Sequence, residues 1–251
     1  MKEKVKEKND ILFGFHSVYE ALKADKRKFY SILISKNRSA GRMEKIETIA
    51  RQRNIKIEMV DPDLLDKMTD FSNHQGLAAN TSFFPIKKAA EVVRLVQEKK
   101  EPCFILILES IEDPHNLGAL IRTALCAGVD YILIPKDRSA VPSSTVSRSS
   151  AGAMEHADIF YITNTASILR ALKENGVWVS GLDAGADTSL FEADLTGNIA
   201  LVIGGEHKGI RPLVKKECDF LLSIPNKGNI NSLNASVAGG IAMYEAFRQR
   251  R

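Results

Sequence analysis

The sequence predicts an α/β protein in which a small α/β domain precedes a larger, mostly parallel sheet covered by helices on both faces. Three observations predict it. Short apolar runs recur through the second half of the chain and alternate with stretches of helical periodicity, the pattern of strand–helix units rather than of hairpins. With 251 residues, 44% of them hydrophobic and 26% charged, the chain has material for two ordinary domains. Its positive excess is confined to the first third: residues 1–83 carry 16 Lys and Arg against 12 Asp and Glu, while residues 84–251 carry 19 of each.

Taken in order, the Lys/Glu-alternating first nine residues predict disorder. An amphipathic helix over Ser17–Ala24, a β-rich run Phe29–Ile34, a helix Arg42–Arg53 and a strand Lys56–Val60 then make a first domain, residues 1–84. Residues 85–102 predict a charged helical connector, with Val92, Val93 and Val96 at helical spacing and Pro102 ending it. The second domain, residues 103–251, begins with an apolar strand Cys103–Leu108, a helix Asn116–Ala127 and a strand Tyr131–Ile134. Strands Val177–Ser180, Ile199–Ile203 and Phe220–Ile224 follow, and a helix Val237–Arg250 closes the chain.

The composition also excludes function classes. No apolar stretch approaches the roughly 20 residues needed to span a membrane, and the lysine-rich start lacks the apolar segment of a signal peptide, so a cytosolic protein is expected. Cys103, Cys126 and Cys218 are odd in number and form no CxxC pair, which predicts reduced, mostly buried thiols and no metal. Within the first domain, Lys23–Lys56 holds 11 basic and 3 acidic residues. Such a cluster attracts a phosphate backbone, although a solvated face reads the same way.

In parallel sheets, ligands bind beyond the carboxyl ends of the strands. Three loops there are chemically unusual. The first, Asp113-Pro114-His115-Asn116-Leu117-Gly118, opens a helix for which Asn116 is a good N-cap, with Arg122 about 1.7 turns further on. Alone it reads as a capped helix with a solvated arginine. In the second, Gly204-Gly205-Glu206-His207-Lys208-Gly209, glycines allow a ligand close to the backbone, while Glu206 suits no phosphate. The GxGxxG fingerprint is absent, which argues against a nucleotide-dependent oxidoreductase. The third loop places Ser232, Asn234 and Ser236 at the start of the last helix, more small polar residues than one N-cap requires. That surplus points to ligand contacts.

Asn116-Leu117-Gly118 with Arg122, Gly204-Gly205-Glu206-His207-Lys208-Gly209, and Ile224-Pro225 followed by Ser232-Leu233-Asn234-Ala235-Ser236 together resemble the three motifs of the SpoU (TrmH-type) RNA 2′-O-methyltransferases. The resemblance covers roughly residues 103–251. Residues before it, with His74-Gln75-Gly76, resemble the L30e-like substrate-binding domain of the longer members, those that methylate a guanosine of 23S ribosomal RNA. It implies a Rossmann-like sheet with a C-terminal deep trefoil knot and S-adenosylmethionine as cofactor. Gly204, Gly205, Ile224, Leu233 and Ala235 would hold that cofactor, and Asn116, Arg122, Glu206, Ser232 and Asn234 match the catalytic positions. An RNA substrate, a homodimer through the last helix, and no metal or membrane partner are further implications. A tRNA substrate, or an RNA-binding protein with a degenerate methyltransferase domain, remain alternatives. Of the histidines, His115 beside Asn116 is the one expected to reach RNA or a partner subunit. Gly239-Gly240 lowers the helix propensity of the last helix, which fits close contact with a neighbouring helix.

Overall fold

The computed structural model describes residues 9–37, 40–206, 209–227 and 232–251. The expected disorder of the first residues and part of the expected knot fall outside them. The chain forms two compact units. One comprises residues up to Pro85 together with Pro142–His156; the other comprises Ile86–Val141 and Ala157–Arg251.

In the first unit the elements run β1 (Asp10–Phe13), α1 (Phe15–Ala24), β2 (Phe29–Ser35), α2 (Ala40–Gln52), β3 (Lys56–Val60), α3 (Pro62–Met68) and β4 (Leu77–Thr81). The sheet order is β1-β4-β2-β3, with β2 and β3 parallel and the other pairs antiparallel. Ile32 stands opposite Ile57 on one side and Ala79 on the other, and α1 and α2 cover this face through Val18, Leu22, Met43 and Ile46.

The segment 142–156, which the sequence reading placed in the second domain, packs with this unit. The cause is non-local. Arg27 is fully buried and its guanidinium donates to Glu155, also fully buried, at 2.7 Å from Nε and 3.1 Å from Nη2, with a further bond of 2.7 Å from Nη1 to Asp10. Gly152 lies so close to α1 that a Cβ on it would meet the His16 carbonyl oxygen at 2.6 Å. Both contacts join residues more than a hundred positions apart, which no local pattern announces.

The second unit holds an eight-stranded sheet in which every described pairing is parallel, in the order β10-β12-β9-β11-β6-β7-β8-β5. Its strands are β5 (Lys87–Lys88), β6 (Phe104–Glu109), β7 (Tyr131–Pro135), β8 (Ile159–Ile162), β9 (Trp178–Leu182), β10 (Thr188–Ser189), β11 (Ile199–Gly204) and β12 (Phe220–Ser223). The central pair β6–β11 is wholly apolar and buried up to its carboxyl end, as a strand covered on both faces must be. Helices of this unit are α4 (Ala90–Glu98), α5 (Pro114–Cys126), α7 (Thr165–Glu174), α8 (Pro212–Glu217) and α9 (Ala235–Gln249), while α6 (Ser144–Ser149) belongs to the first unit. No helix among the described residues is long and apolar enough to cross a membrane.

Helix α9 packs on α5 and β11. A Cβ at Gly239 would come within 2.4 Å of Leu120 and 2.6 Å of Ile203, so this glycine is what lets the helix approach so closely. The inward face is Gly239, Ala242, Met243 and Ala246, small except for Met243. Consequently the more bulky stripe of Val237, Ile241, Tyr244 and Phe247 lies outside that face, with Val237 and Tyr244 each half exposed.

The three cysteines are free, but only Cys103 is buried; Cys218 is half-buried and Cys126, near the end of α5, is exposed, contrary to the expectation that most are buried. Burial pushes the Cys103 thiol up to about 12 and the Cys218 thiol up to about 11. Thiolates are the reactive species, so at pH 8 a disulfide reagent should react rapidly with one thiol, that of Cys126, in the native protein and with three in denaturant. Rapid labelling of Cys103 in native protein would contradict the packing of β6.

Candidate active site

The loop after β6 is built by Asp113, not Asn116, as helix cap. Its carboxylate accepts the backbone N–H of His115 at 3.1 Å and of Asn116 at 3.2 Å. Pro114 fills the first helical position, where its missing N–H costs nothing. The sequence reading gave the cap to Asn116. Relieved of that duty, the Asn116 amide donates to Glu206 Oε1 at 2.8 Å.

Glu206 is placed by the turn after β11. A Cβ on Gly204 would fall 2.2 Å from the Gly209 carbonyl carbon, and one on Gly205 would fall 2.1 Å from the Ser110 carbonyl oxygen. Both neighbours are backbone, so only glycine fits either position. Gly209 N donates back to the Gly205 carbonyl at 2.8 Å and closes the turn. His207 and Lys208 lie outside the described residues.

Asn234 completes the cluster. Its Oδ1 caps α9, accepting from Ser236 N at 2.9 Å, Val237 N at 3.3 Å and the Ser236 hydroxyl at 2.6 Å. Its amide donates to Asn116 Oδ1 at 3.2 Å and to Glu206 Oε1. The carboxylate of Glu206 therefore takes two amide donors from residues 116 and 234. A charged acceptor held by two capped helix starts has little freedom to turn.

Two cavities meet at this cluster. One, of about 280 Å³, is lined by all five residues expected to hold the cofactor, Gly204, Gly205, Ile224, Leu233 and Ala235, and also by Ser232 and Glu206. The other, of about 790 Å³, is lined by Asn116, Glu206, Asp113, Arg138 and Arg211 among others. Gly205, Glu206, Gly209 and Ala235 line both. Arg122 lines neither: it stands exposed on α5 and makes no hydrogen bond or ion pair among the described residues. His115 is likewise exposed and outside both cavities.

The sequence reading missed two polar pairs. Asp183, in the loop after β9, and Lys215 of α8 form an ion pair, and both line the smaller cavity. The hydrogen bond from Lys215 holds the Asp183 carboxyl below its usual range, with the Gly185 N–H helping against partial burial. Its position just beyond a strand's carboxyl end was the signal. Glu109, at the end of β6, is fully buried, accepts the Thr165 hydroxyl at 2.8 Å and pairs with Arg211. An acid ending an apolar run was visible, but its partners, 56 and 102 positions away, were not.

In the first unit, the basic cluster is less available than its count implies. Arg27 is buried, and Lys23, Lys36, Arg51, Arg53 and Lys56 pair with Glu20, Asp61, Glu47, Asp25 and Glu58. Pairs on the surface are weak enough for a phosphate to compete. His74-Gln75-Gly76 is a built turn. Gly76 N donates to His74 Nδ1 at 3.0 Å, His74 Nε2 lies 3.0 Å from Asp66, and Gln75 Oε1 accepts the Phe15 N–H that opens α1 at 3.2 Å.

A parallel α/β sheet with joined cavities at its carboxyl strand ends, lined by a fixed carboxylate and a glycine turn, defines a ligand-binding enzyme domain of the doubly covered class. Comparison with known proteins makes this specific. The model of the SpoU rRNA methylase family matches residues 103–244, and that of the RNA 2′-O ribose methyltransferase substrate-binding domain matches residues 11–86. A Bacillus subtilis protein, YacO, named for the TrmH family of tRNA/rRNA methyltransferases, is 40% identical over 244 residues, covering 97% of each chain. The 23S rRNA (guanosine-2′-O-)-methyltransferase RlmB of Xanthomonas campestris is 39% identical over 242 residues, covering 96% of this chain and 97% of the relative. The SpoU methyltransferase AviRb of Streptomyces viridochromogenes, solved with AdoMet, shares the fold with a TM-score of 0.81 at 21% identity, over 96% of this chain and 90% of that one. The chain belongs to the SpoU family of RNA 2′-O-methyltransferases.

Proposed function

We propose that the protein methylates the ribose 2′-oxygen of a guanosine in 23S ribosomal RNA, with S-adenosylmethionine in the smaller cavity and the target nucleotide in the larger. The observation that carries this reading is the Asn116–Glu206–Asn234 cluster, which joins two cavities of different character. The smaller cavity suits the cofactor by its donor set: Leu182, Ile224 and Leu233 offer apolar surface to a purine, and Asp183 and Glu206 offer negative charge to a sulfonium and an ammonium. When bound, S-adenosylmethionine supplies an electrophilic methyl group. The protein's own contribution is placement. Gly204 and Gly205 bring backbone to the cavity wall, and Ser232 lines it as well. Glu206, held by two amides, fixes the border between cofactor and nucleotide, so that the reacting oxygen arrives in line. The exposed guanidinium of Arg122, unpaired among the described residues, suits an RNA phosphate.

In this reading residues 1–84 hold RNA and residues 103–251 carry the transfer, in a cytosolic homodimer. The stripe of exposed Val237 and Tyr244 with partly buried Ile241 and Phe247 supports association through α9, and a monomer by light scattering would count against it. The name of the Xanthomonas relative supports 23S rRNA, and that of the Bacillus relative leaves room for tRNA. Mass-spectrometric mapping of RNA from cells lacking the gene should show one 2′-O-methylguanosine missing from 23S rRNA. An intact 23S pattern with a loss from tRNA would move the substrate assignment.

A further inference from the structure

We propose that Arg211 binds a backbone phosphate of the RNA beside the target nucleotide, and that buried Glu109 holds it in position. The inference rests on the reading of the larger cavity as the nucleotide site and goes on to name one of its contacts.

Arg211 caps the start of α8, directly before Pro212, and its side chain lines the larger cavity. Its Nε donates to Glu109, whose side chain is 0% exposed, while the arginine side chain remains 42% exposed. The second oxygen of Glu109 takes the Thr165 hydroxyl at 2.8 Å, so the carboxylate is fixed from both ends. The Arg211 side chain makes no other hydrogen bond or ion pair among the described residues, which leaves both Nη groups without a protein partner. A guanidinium tethered through Nε and open at its paired Nη donors is preorganised for bidentate contact with phosphate.

The acids around the cavity do not take this role from it. Asp113 is engaged in capping α5, Glu206 is engaged by two amides, and Glu112, the third acid of the lining, makes no hydrogen bond or ion pair with Arg211 among the described residues. Since Arg211 does not line the smaller cavity, its phosphate contact is separable from cofactor binding. A purely structural counter-ion to Glu109 would need only to be buried beside it, whereas the Arg211 side chain keeps 42% of its surface exposed.

The test uses the full-length protein with a 23S rRNA fragment and S-adenosylmethionine. Arg211→Ala should raise the KM for RNA about tenfold and reduce the slope of log affinity against log salt by about one, as loss of one phosphate contact does. Its calorimetric affinity for S-adenosylmethionine should stay within twofold of wild type. Arg211→Lys should recover the salt slope but not the full KM, because an ammonium lacks the fork. Unchanged RNA affinity and salt slope in Arg211→Ala overturns the proposal. So does a parallel loss of cofactor affinity in both variants, which marks the residue as structural; a lower melting temperature of Arg211→Ala with cofactor and RNA effects as stated is expected, because Glu109 loses its cation. Failure of the wild-type protein to transfer methyl to RNA would instead overturn the reading of the site on which this proposal rests.

Discussion

Arg27→Ala is expected to lower the stability of the first unit by about 3–5 kcal/mol, the usual effect of leaving one charge of a buried pair without its partner. Arg27 and Glu155 both have fully buried side chains, and three of the guanidinium's bonds go to Glu155 and Asp10. Although burial by itself disfavours the charge on Arg27, the bonds to Glu155 and then Asp10 outweigh it and hold the group more firmly protonated than usual. Replacing both partners by apolar residues of similar size, Arg27→Met with Glu155→Leu, should recover most of the loss. Urea denaturation of the two variants checks this. A single variant within 1 kcal/mol of wild type would show that water reaches the pair and that 142–156 is held to the first unit by something else.

Among site variants, Asn234→Ala should reduce turnover on the order of 10²-fold, because it frees the carboxylate that borders both cavities and misplaces the reacting groups. The same change removes the cap of α9, at a cost of about 1 kcal/mol. Asn234 thus ties folding and chemistry together, and cofactor affinity should fall as well. Arg122→Ala should behave differently. Lining neither cavity, it should leave affinity for S-adenosylmethionine within a few-fold while RNA-dependent methyl transfer falls by about tenfold or more. Calorimetry beside single-turnover rates separates the two variants. Wild-type turnover by Asn234→Ala, or loss of cofactor binding by folded Arg122→Ala, would show the roles to be misassigned.

The central strands were legible because each is a continuous apolar run with a sharp chemical change at its carboxyl end: Leu108 to Glu109, Ile203 to Gly204. Strands β5 and β10, two residues each, carry no such run. β4, with sequence Leu-Ala-Ala-Asn-Thr, is a strand because β1 and β2 flank it, not by its own propensity. The glycine turn was legible as a place where something approaches the backbone, and it lines both cavities; of the small polar residues before α9, Ser232 lines the smaller cavity while Asn234 and Ser236 build the helix cap. Asn116 was misread as a cap because Asp113 does the same job three residues earlier, and only hydrogen-bond partners distinguish the two. Glu109–Arg211 and Arg27–Glu155 escaped for one reason. Buried charge pairs are set by tertiary distance, to which a linear pattern is blind.

On the function proposed above, a cofactor cavity and a nucleotide cavity meet at Glu206 and a guanosine ribose is methylated there. The decisive measurement is incubation of the purified protein with methyl-labelled S-adenosylmethionine and unmodified 23S rRNA, followed by complete nuclease digestion. Label should appear in a single 2′-O-methylguanosine product, and none should appear with Glu206→Ala. Label on a base, or no transfer by a protein that binds both ligands, would contradict that function.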